Sequence, residues 1–181
     1  MTATEQKSRI PEIHLEQLSA EQRALIERLE AARGRVPTPF KIWIHNPAIA
    51  DPLLELGARL TRGVSLSRRE REIAILLMAH HWSAEYVLEI HSREASEAGL
   101  PQAVIAELRV GIIPEIGDPR ERSVCAIVAD FLQKTGSNDG TFDSALAALG
   151  QEGLAELLVL CGYFTSICLA MKLYRMPLPV K

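Results

Sequence analysis

The sequence predicts an all-α fold, and three observations support this prediction. Apolar residues recur at helical spacing along most of the 181 residues, and no segment shows the apolar–polar alternation of a half-buried strand. Two capping boxes, Ser19 with Gln22 and Ser67 with Glu70, mark the starts of helices. The composition, 48% hydrophobic and 24% charged, is ordinary for a globular protein with one substantial core. No segment has the composition of an interdomain linker, so residues 1–181 are expected to form a single domain.

Before the central region, start and stop residues define three predicted helices. The first runs from the Ser19 cap to Gly34, and an extended, proline-containing link over 36–40 follows it. A short helix then covers 41–45. Pro47 begins the third helix, which Gly63 ends.

Two helices joined by a tight turn are predicted over about 68–98. The first runs to His81, and its inner face carries Glu72. Ser83 can cap the second helix, which Gly99 ends. His91 lies on the apolar stripe of this second helix, at a position where a leucine would be usual.

Three more helices are predicted after this hairpin. A short one follows Pro101 and ends before Gly111, and a longer one opens at Asp118-Pro119, with Glu121 completing its cap, and runs to about Thr135. After a polar turn at 137–140, Thr141 caps a short helix that ends at Gly150. A long apolar helix then runs to about Arg175.

The hairpin geometry predicts contact between Glu72 and His91. Glu72 precedes the turn by about ten residues and His91 follows it by about nine, so each lies about 14 to 15 Å from the bend. Antiparallel pairing then places the two side chains level with each other. A buried carboxylate beside an imidazole can share a proton and form a relay. A hydrogen bond that only fixes the hairpin remains the alternative.

Charge and hydropathy exclude some classes of partner. The net charge is −3 with both signs interspersed, which argues against a nucleic-acid partner. The first eight residues lack an apolar signal core, and no run of 18 apolar residues occurs, so a cytoplasmic location without a membrane partner is expected. The most apolar segment, 157–171, is predicted to be a buried helix or a subunit interface.

Neither a disulfide nor a metal site is predicted. Cys125, Cys161 and Cys168 lack C-x-x-C spacing and lie in apolar helical patterns, so they are expected to be small core residues. His81 and Glu85 are four residues apart, but a turn lies between them and no known zinc spacing is matched.

The segment from Arg69 to Gly99 resembles the core hairpin of the carboxymuconolactone decarboxylase-like family, which belongs to the AhpD-like superfamily of alkylhydroperoxidases. Glu72 falls on the family's acid, Glu85-Tyr86 on a Glu-Tyr pair and His91 on its histidine. The flanking sequences also resemble the longer branch of the family: Val36-Pro37-Thr38-Pro39-Phe40, His45-Asn46-Pro47, Gly162-Tyr163-Phe164-Thr165 and Arg175-Met176-Pro177-Leu178-Pro179. The resemblance implies an AhpD-like helical fold with a central antiparallel hairpin, assembled as a homo-trimer or homo-hexamer.

The sequence departs from the hydroperoxidase branch of this superfamily at two positions. That branch has two cysteines on the second helix, three residues apart, with the histidine four residues after the second. Ala84 and Val87 occupy these positions here. A dithiol hydroperoxidase is therefore disfavoured, because no thiol is available there to attack a peroxide.

The implied activity is that of a cofactor-free decarboxylase or related proton-transfer lyase in aromatic compound catabolism. Its substrate would be a small unsaturated lactone or carboxylic acid. His91 would donate the proton and Glu72 would orient it. Glu85 and Tyr86 are further catalytic candidates, and His81, Arg69 and Arg71 are candidates for substrate binding.

Each of these roles has a structural alternative. Tyr86 can be a half-buried packing residue, Glu85 an acid that favours a helix start, and the arginines a solvated face. The whole chain can also be a catalytically silent oligomeric module. A Glu72–His91 contact sealed from solvent, with no pocket beside it, would favour that alternative.

Overall fold

The central helix of the protein is surrounded by four others in a computed structural model that describes residues 7–133 and 138–178. Within these residues the secondary structure is helical, with no strand. A 3₁₀ turn that was not predicted covers Leu15–Gln17. The helices are α1 (Ala20–Arg33), α2 (Phe40–Trp43), α3 (Pro47–Arg62), α4 (Arg68–His81), α5 (Glu85–Glu97), α6 (Gln102–Arg109), α7 (Pro119–Gln133) and α8 (Asp139–Leu173). The all-α prediction is confirmed; the predicted helix end near Thr135 and turn residue Ser137 lie outside the described residues.

Helix α4 forms the centre of the core. Every residue from Glu72 to Ala79 is buried, and α5, α6, α7 and α8 pack around the helix. A helix that is covered on all sides needs apolar residues around its whole circumference, which this run supplies. The predicted capping box is present: Ser67 Oγ accepts from the Glu70 backbone N–H, and the Glu70 carboxylate accepts from that of Ser67.

The turn between α4 and α5 differs from the prediction. Ser83 has a φ of 51°, and Ala84, whose side chain cannot accept a hydrogen bond, is the N-cap of α5. The prediction that Ser83 caps α5 is therefore wrong. The backbone closes the turn instead, since the N–H of Ser83 donates to His80 and that of Ala84 donates to Ala79.

Two reciprocal ion pairs join the first turns of α4 and α7. Arg69 of α4 holds the buried Glu121 through Nε and Nη2, at 2.6 and 2.9 Å, and this hydrogen bonding raises the pKa of Arg69. Arg120 of α7 holds the buried Glu70 through Nε at 2.8 Å. The cap of α7 is Asp118, whose Oδ1 accepts from the N–H of Glu121. The Glu121 carboxylate therefore pairs with Arg69 and does not complete the cap.

Helix α8 is interrupted where the sequence predicts a helix end. Gly150 has a φ of 71° and a ψ of 176°, which breaks the helix between its short first part and the long part that follows. The N-cap is Asn138, whose Oδ1 accepts from the N–H of Thr141 at 3.0 Å. The prediction that Thr141 is the cap is therefore wrong. The cap residue Asn138 lies within the polar turn that was predicted at 137–140.

Only one side of α8 is covered. Leu157, Leu160 and Cys168 are buried, whereas 62% of Leu158 and 64% of Leu173 are exposed. By length and composition alone α8 is apolar enough to cross a membrane, and 33% of its most apolar 18-residue window is buried.

The first three helices form a second, smaller cluster of buried residues. Leu25 and Leu29 of α1 pack with Phe40, Ile44 and Ala50. Gly34, with a φ of 70°, ends α1 as predicted, and the link to α2 then passes close to the central hairpin. This N-terminal layer lies over one face of the core, where α3 contacts α8.

Candidate functional site

The predicted contact between Glu72 and His91 is present on the facing sides of α4 and α5. His91 Nδ1 lies 2.8 Å from Glu72 Oε2. The Glu72 side chain is 8% exposed and that of His91 is 18% exposed. With the carboxylate as acceptor, Nδ1–H donates, and Nε2 is the ring nitrogen that remains for another partner.

A cavity of about 520 Å³ lies beside this pair. Its walls come from the link before α2, from α3, from the α4–α5 hairpin and from α8, and both Glu72 and His91 line it. The pair is therefore not sealed in the core. The volume is in the range of small-molecule binding sites.

Aromatic side chains hold one wall of the cavity in place. Phe164 of α8 meets the His91 ring edge to face, with the ring centroids 5.0 Å apart, and Tyr163 meets Phe164 in the same way at 5.6 Å. Tyr86 Oη lies 3.0 Å from Thr38 Oγ1, which joins the hairpin to the N-terminal link. The Phe164 ring and the Glu72 carboxylate are the contacts that hold the His91 ring in this orientation.

The positive charge at the cavity comes mainly from arginines. Arg71 lines the cavity, and its Nη1 donates to the Leu66 carbonyl at 2.5 Å. Within residues 7–133 and 138–178, Arg71 forms no ion pair. Arg68 also lines the cavity but is paired with Glu94 and Glu97 at 2.7 and 3.0 Å. Arg71 is thus the better placed of the two to meet a substrate carboxylate.

Three of the predicted site residues lie outside this cavity. Arg69 is on the α4–α7 side, paired with Glu121. His81 is exposed and contacts the ring of Trp82. Glu85 is exposed and lines a separate cavity of about 320 Å³ near Lys172. The structure therefore brings together Glu72, Tyr86, Arg71 and His91 and does not bring Arg69, His81 or Glu85 to them.

The three cysteines are buried in the core, as predicted. Burial raises the pKa of Cys125 to about 11 and those of Cys161 and Cys168 to about 12. None of them lines either cavity. Across the described part of the chain, no group of three or more His, Cys, Asp or Glu residues is arranged to hold a metal ion.

Several residues of the cavity wall were not predicted as site residues. They include Thr38, Phe40, Gly57, Leu160, Tyr163, Phe164 and Ile167. All lie far along the chain from the hairpin, so no local spacing connects them with it. The aromatic pair in the final helix, Tyr163-Phe164, was the available signal, because two adjacent rings stand out in a helix that is otherwise mostly aliphatic.

Residues 47–130 match the model of the Carboxymuconolactone decarboxylase family. This segment contains α3 to α6 and most of α7, and hence the Glu72–His91 pair. No curated protein matches the sequence significantly.

Solved structures with the same fold cover nearly the whole chain. A peroxidase-related protein with an alkylhydroperoxidase AhpD core, from Ralstonia eutropha JMP134, has a TM-score of 0.76 and 17% identity, with 95% of this chain and 92% of that chain covered. A peroxidase-related protein from Silicibacter sp. TM1040 has a TM-score of 0.75 and 16% identity, with 93% and 88% covered. The debrominase Bmp8, as a cysteine-to-alanine variant in complex with 2,3,4-tribromopyrrole, has a TM-score of 0.74 and 10% identity, with 96% and 93% covered.

At these identities the structural similarity establishes the fold alone. The family match covers residues 47–130, which include the hairpin that carries the buried acid and the histidine. The segment 47–130 is therefore similar to the Carboxymuconolactone decarboxylase family, and the chain has the AhpD-like fold.

Proposed function

We propose that this protein is a cofactor-free decarboxylase or related proton-transfer lyase that acts on a small unsaturated lactone or carboxylic acid. The observation that supports this most is the 2.8 Å contact between Glu72 and His91 at the wall of a 520 Å³ cavity. A buried acid–imidazole pair with access to a pocket is suited to move one proton.

Decarboxylation of such a substrate balances without a metal or an organic cofactor. The bond between the carboxylate carbon and the ring breaks, CO2 leaves, and its bonding electrons delocalise into the conjugated lactone carbonyl. The resulting dienolate then takes up one proton at carbon. Nε2 of a protonated His91 supplies that proton, and solvent restores it.

Four of the cavity residues have a part in this scheme. Glu72 holds Nδ1 of His91, which directs Nε2 towards the substrate and stabilises the protonated ring. Arg71 binds a carboxylate of the substrate. The apolar and aromatic wall, including Phe164, excludes water from the dienolate.

The silent-module alternative predicts a sealed pair without a pocket, and the open cavity beside Glu72 and His91 argues against it. A thiol-dependent reaction is not proposed, because no cysteine lines the cavity.

The experiment is to measure CO2 release from γ-carboxymuconolactone and related unsaturated lactone acids. His91→Ala is expected to lower kcat by about 10² to 10⁴, and Glu72→Gln by about 10². Glu85→Gln is the matched control: it removes a carboxylate from the same hairpin outside the cavity, and it is expected to leave turnover unchanged. All variants are first checked for unchanged helicity and thermal unfolding.

Turnover by the wild-type protein that His91→Ala retains would contradict the assignment of His91. Absence of turnover with every lactone acid tested would contradict the proposed reaction and favour the silent module.

A further inference from the structure

The dienolate oxygen of the proposed decarboxylation still needs a hydrogen-bond donor. His91 supplies a proton to carbon and Arg71 binds a carboxylate, whereas the electrons left by CO2 collect on the lactone carbonyl oxygen. A donor at that oxygen lowers the barrier, because the negative charge develops there only as CO2 leaves. A hydroxyl group on the cavity wall can fill this position if its hydrogen is not already bonded within the protein.

Of the described residues that line the cavity, four carry a hydroxyl group: Thr38, Thr61, Tyr86 and Tyr163. Thr61 Oγ1 donates to the Gly57 carbonyl at 2.7 Å, so its hydrogen is already used. The Tyr163 hydroxyl lies against the backbone of α3 at Gly57. The remaining two, Thr38 and Tyr86, form a pair with their oxygens 3.0 Å apart.

The Thr38–Tyr86 pair has one hydroxyl hydrogen more than its internal contact uses. Each hydroxyl carries one hydrogen, and the contact between the two oxygens takes up one of them. In the part of the chain that the structure describes, neither hydroxyl has another hydrogen-bond partner. The pair therefore has one donor left for a ligand, on the wall of the cavity that also contains Glu72 and His91.

We propose that the Tyr86 hydroxyl, held in place by Thr38, donates the hydrogen bond that stabilises the dienolate oxygen, an assignment that rests on the proposed decarboxylation. The phenol is the stronger donor of the two hydroxyls, because its ring shares the negative charge that builds up on oxygen. Thr38 therefore donates to Tyr86 Oη, and Tyr86 donates to the substrate. Hydrogen bonds in series strengthen one another. Tyr86 is then a catalytic residue and Thr38 a positioning residue.

No covalent bond of Tyr86 breaks in this step. The electron pair of the broken carbon–carbon bond moves through the conjugated lactone to the carbonyl oxygen, which accepts the hydrogen bond from Tyr86. The proton that is then added at carbon comes from His91. Tyr86 keeps its own proton throughout, so the two residues act on different atoms of the same intermediate.

The N-terminal layer completes this donor. Thr38 belongs to the link between α1 and α2, outside the segment 47–130 that matches the family model. The α4–α5 hairpin supplies Tyr86 but not the hydroxyl that holds it. Catalysis by the hairpin is therefore expected to depend on a side chain of the link.

The first measurement is steady-state CO2 release by the full chain. Tyr86→Phe is expected to lower kcat by about 10² to 10³, the effect of losing one oxyanion donor. Thr38→Val is expected to lower kcat about 10-fold through Tyr86, and Thr38→Ser, which keeps the hydroxyl, is expected to stay close to the wild type. KM is expected to change less than about 3-fold, because the charged oxygen is absent from the bound substrate. A purely structural Thr38 would lower thermal stability without this selective effect on kcat.

The second measurement does not depend on turnover. Tetronic acid, a five-membered lactone that is an enolate anion at neutral pH, serves as the probe, and the parent butenolide has the same ring without the charge. By isothermal titration calorimetry, Tyr86→Phe is expected to weaken tetronate binding about 10- to 100-fold and butenolide binding no more than about 3-fold. Thr165→Val is the control for both measurements, since its hydroxyl donates to the Cys161 carbonyl at 2.9 Å outside the cavity.

The two measurements separate this assignment from the proposed reaction. If Tyr86→Phe keeps the wild-type kcat while His91→Ala loses it, the assignment is overturned and the decarboxylation stands with another donor. If the wild type releases no CO2, the decarboxylation fails, and selective loss of tetronate binding in Tyr86→Phe and Thr38→Val would support the pair as an enolate site for another reaction. Tetronate binding that is absent from the wild type, or unchanged in both variants, would overturn the assignment.

Discussion

The backbone of α3 at Gly57 lies directly against the ring of Tyr163: a β-carbon at position 57 would be 2.4 Å from the hydroxyl oxygen of Tyr163 and 3.0 Å from its Cζ. Both residues line the cavity. Tyr163 in turn contacts Phe164, and Phe164 contacts the ring of His91. A continuous set of contacts therefore connects α3 with the proposed catalytic histidine.

The first prediction concerns this close approach. Gly57→Ala is expected to displace the Tyr163 ring, to lower the free energy of unfolding by about 1 to 3 kcal/mol through overpacking, and to reduce turnover. Gly117→Ala is the control, since nothing lies within 4 Å of a β-carbon there. Chemical denaturation and CO2 release measure the two effects. Equal stability of the two variants would show that Tyr163 moves aside at no cost.

The second prediction separates Arg69 from the substrate site. Arg69→Met leaves the buried Glu121 without its partner, and the free energy of unfolding is expected to fall by about 1 to 3 kcal/mol. Arg68→Met breaks a more exposed pair and is expected to cost about 0 to 1 kcal/mol. Urea denaturation at neutral pH measures both. The reverse order of costs would contradict the structural role given to Arg69.

Arg69 also has a partner that the sequence alone did not predict. Its guanidinium suits a carboxylate, but the carboxylate that it meets belongs to Glu121, 52 residues later on another helix. The contact between Glu72 and His91 was predictable because both lie on one antiparallel hairpin, where rise per residue sets the register. A partner on a distant helix depends on how the helices pack, and the spacing of residues within one segment does not predict this packing.

The predicted helix caps show the same difference between contacts that are local in the sequence and contacts that depend on the fold. Ser19 and Ser67 cap their helices as predicted, because a capping box is complete within four residues. Ser83 does not, because the turn places it at a φ of 51°, from which its side chain does not cap α5. The cavity wall from α3 and α8 could not be predicted either, and the reason is the same as for the partner of Arg69. This wall forms only when the N-terminal layer packs on the core.

The third prediction concerns the hydrogen bond that joins that layer to the hairpin. Thr38→Val and Tyr86→Phe each remove one hydroxyl of the 3.0 Å contact. In a double-mutant cycle the two changes are expected to be coupled by about 0.5 to 1.5 kcal/mol in unfolding free energy. Additive effects would mean that the two hydroxyls do not support each other in solution.

The fourth prediction follows from the buried thiols. Burial raises the pKa values of Cys125, Cys161 and Cys168 from 9.0 to about 11, 12 and 12, so the folded state keeps their protons at pH values where the unfolded state loses them. Their contribution to stability is thus complete below about pH 9 and is lost as the pH rises towards 12. At pH 8 a disulfide reagent is expected to label the native protein only slowly and to label all three thiols in urea. Rapid native labelling of any one thiol would show that it is accessible.

The fifth prediction tests which arginine meets the substrate. Arg71→Met removes a cavity cation that forms no ion pair in the described residues, and KM is expected to rise about 10- to 100-fold, the worth of a charge-assisted hydrogen bond. Arg71→Lys keeps the charge but cannot bind a carboxylate in a bidentate manner, so a smaller rise in KM is expected. Arg69→Met, compared below its unfolding temperature, is expected to leave KM unchanged because Arg69 lies outside the cavity. A rise in KM with Arg69→Met and not with Arg71→Met would place substrate on the α4–α7 side of the hairpin, and the cavity beside Glu72 and His91 would then not be the substrate site.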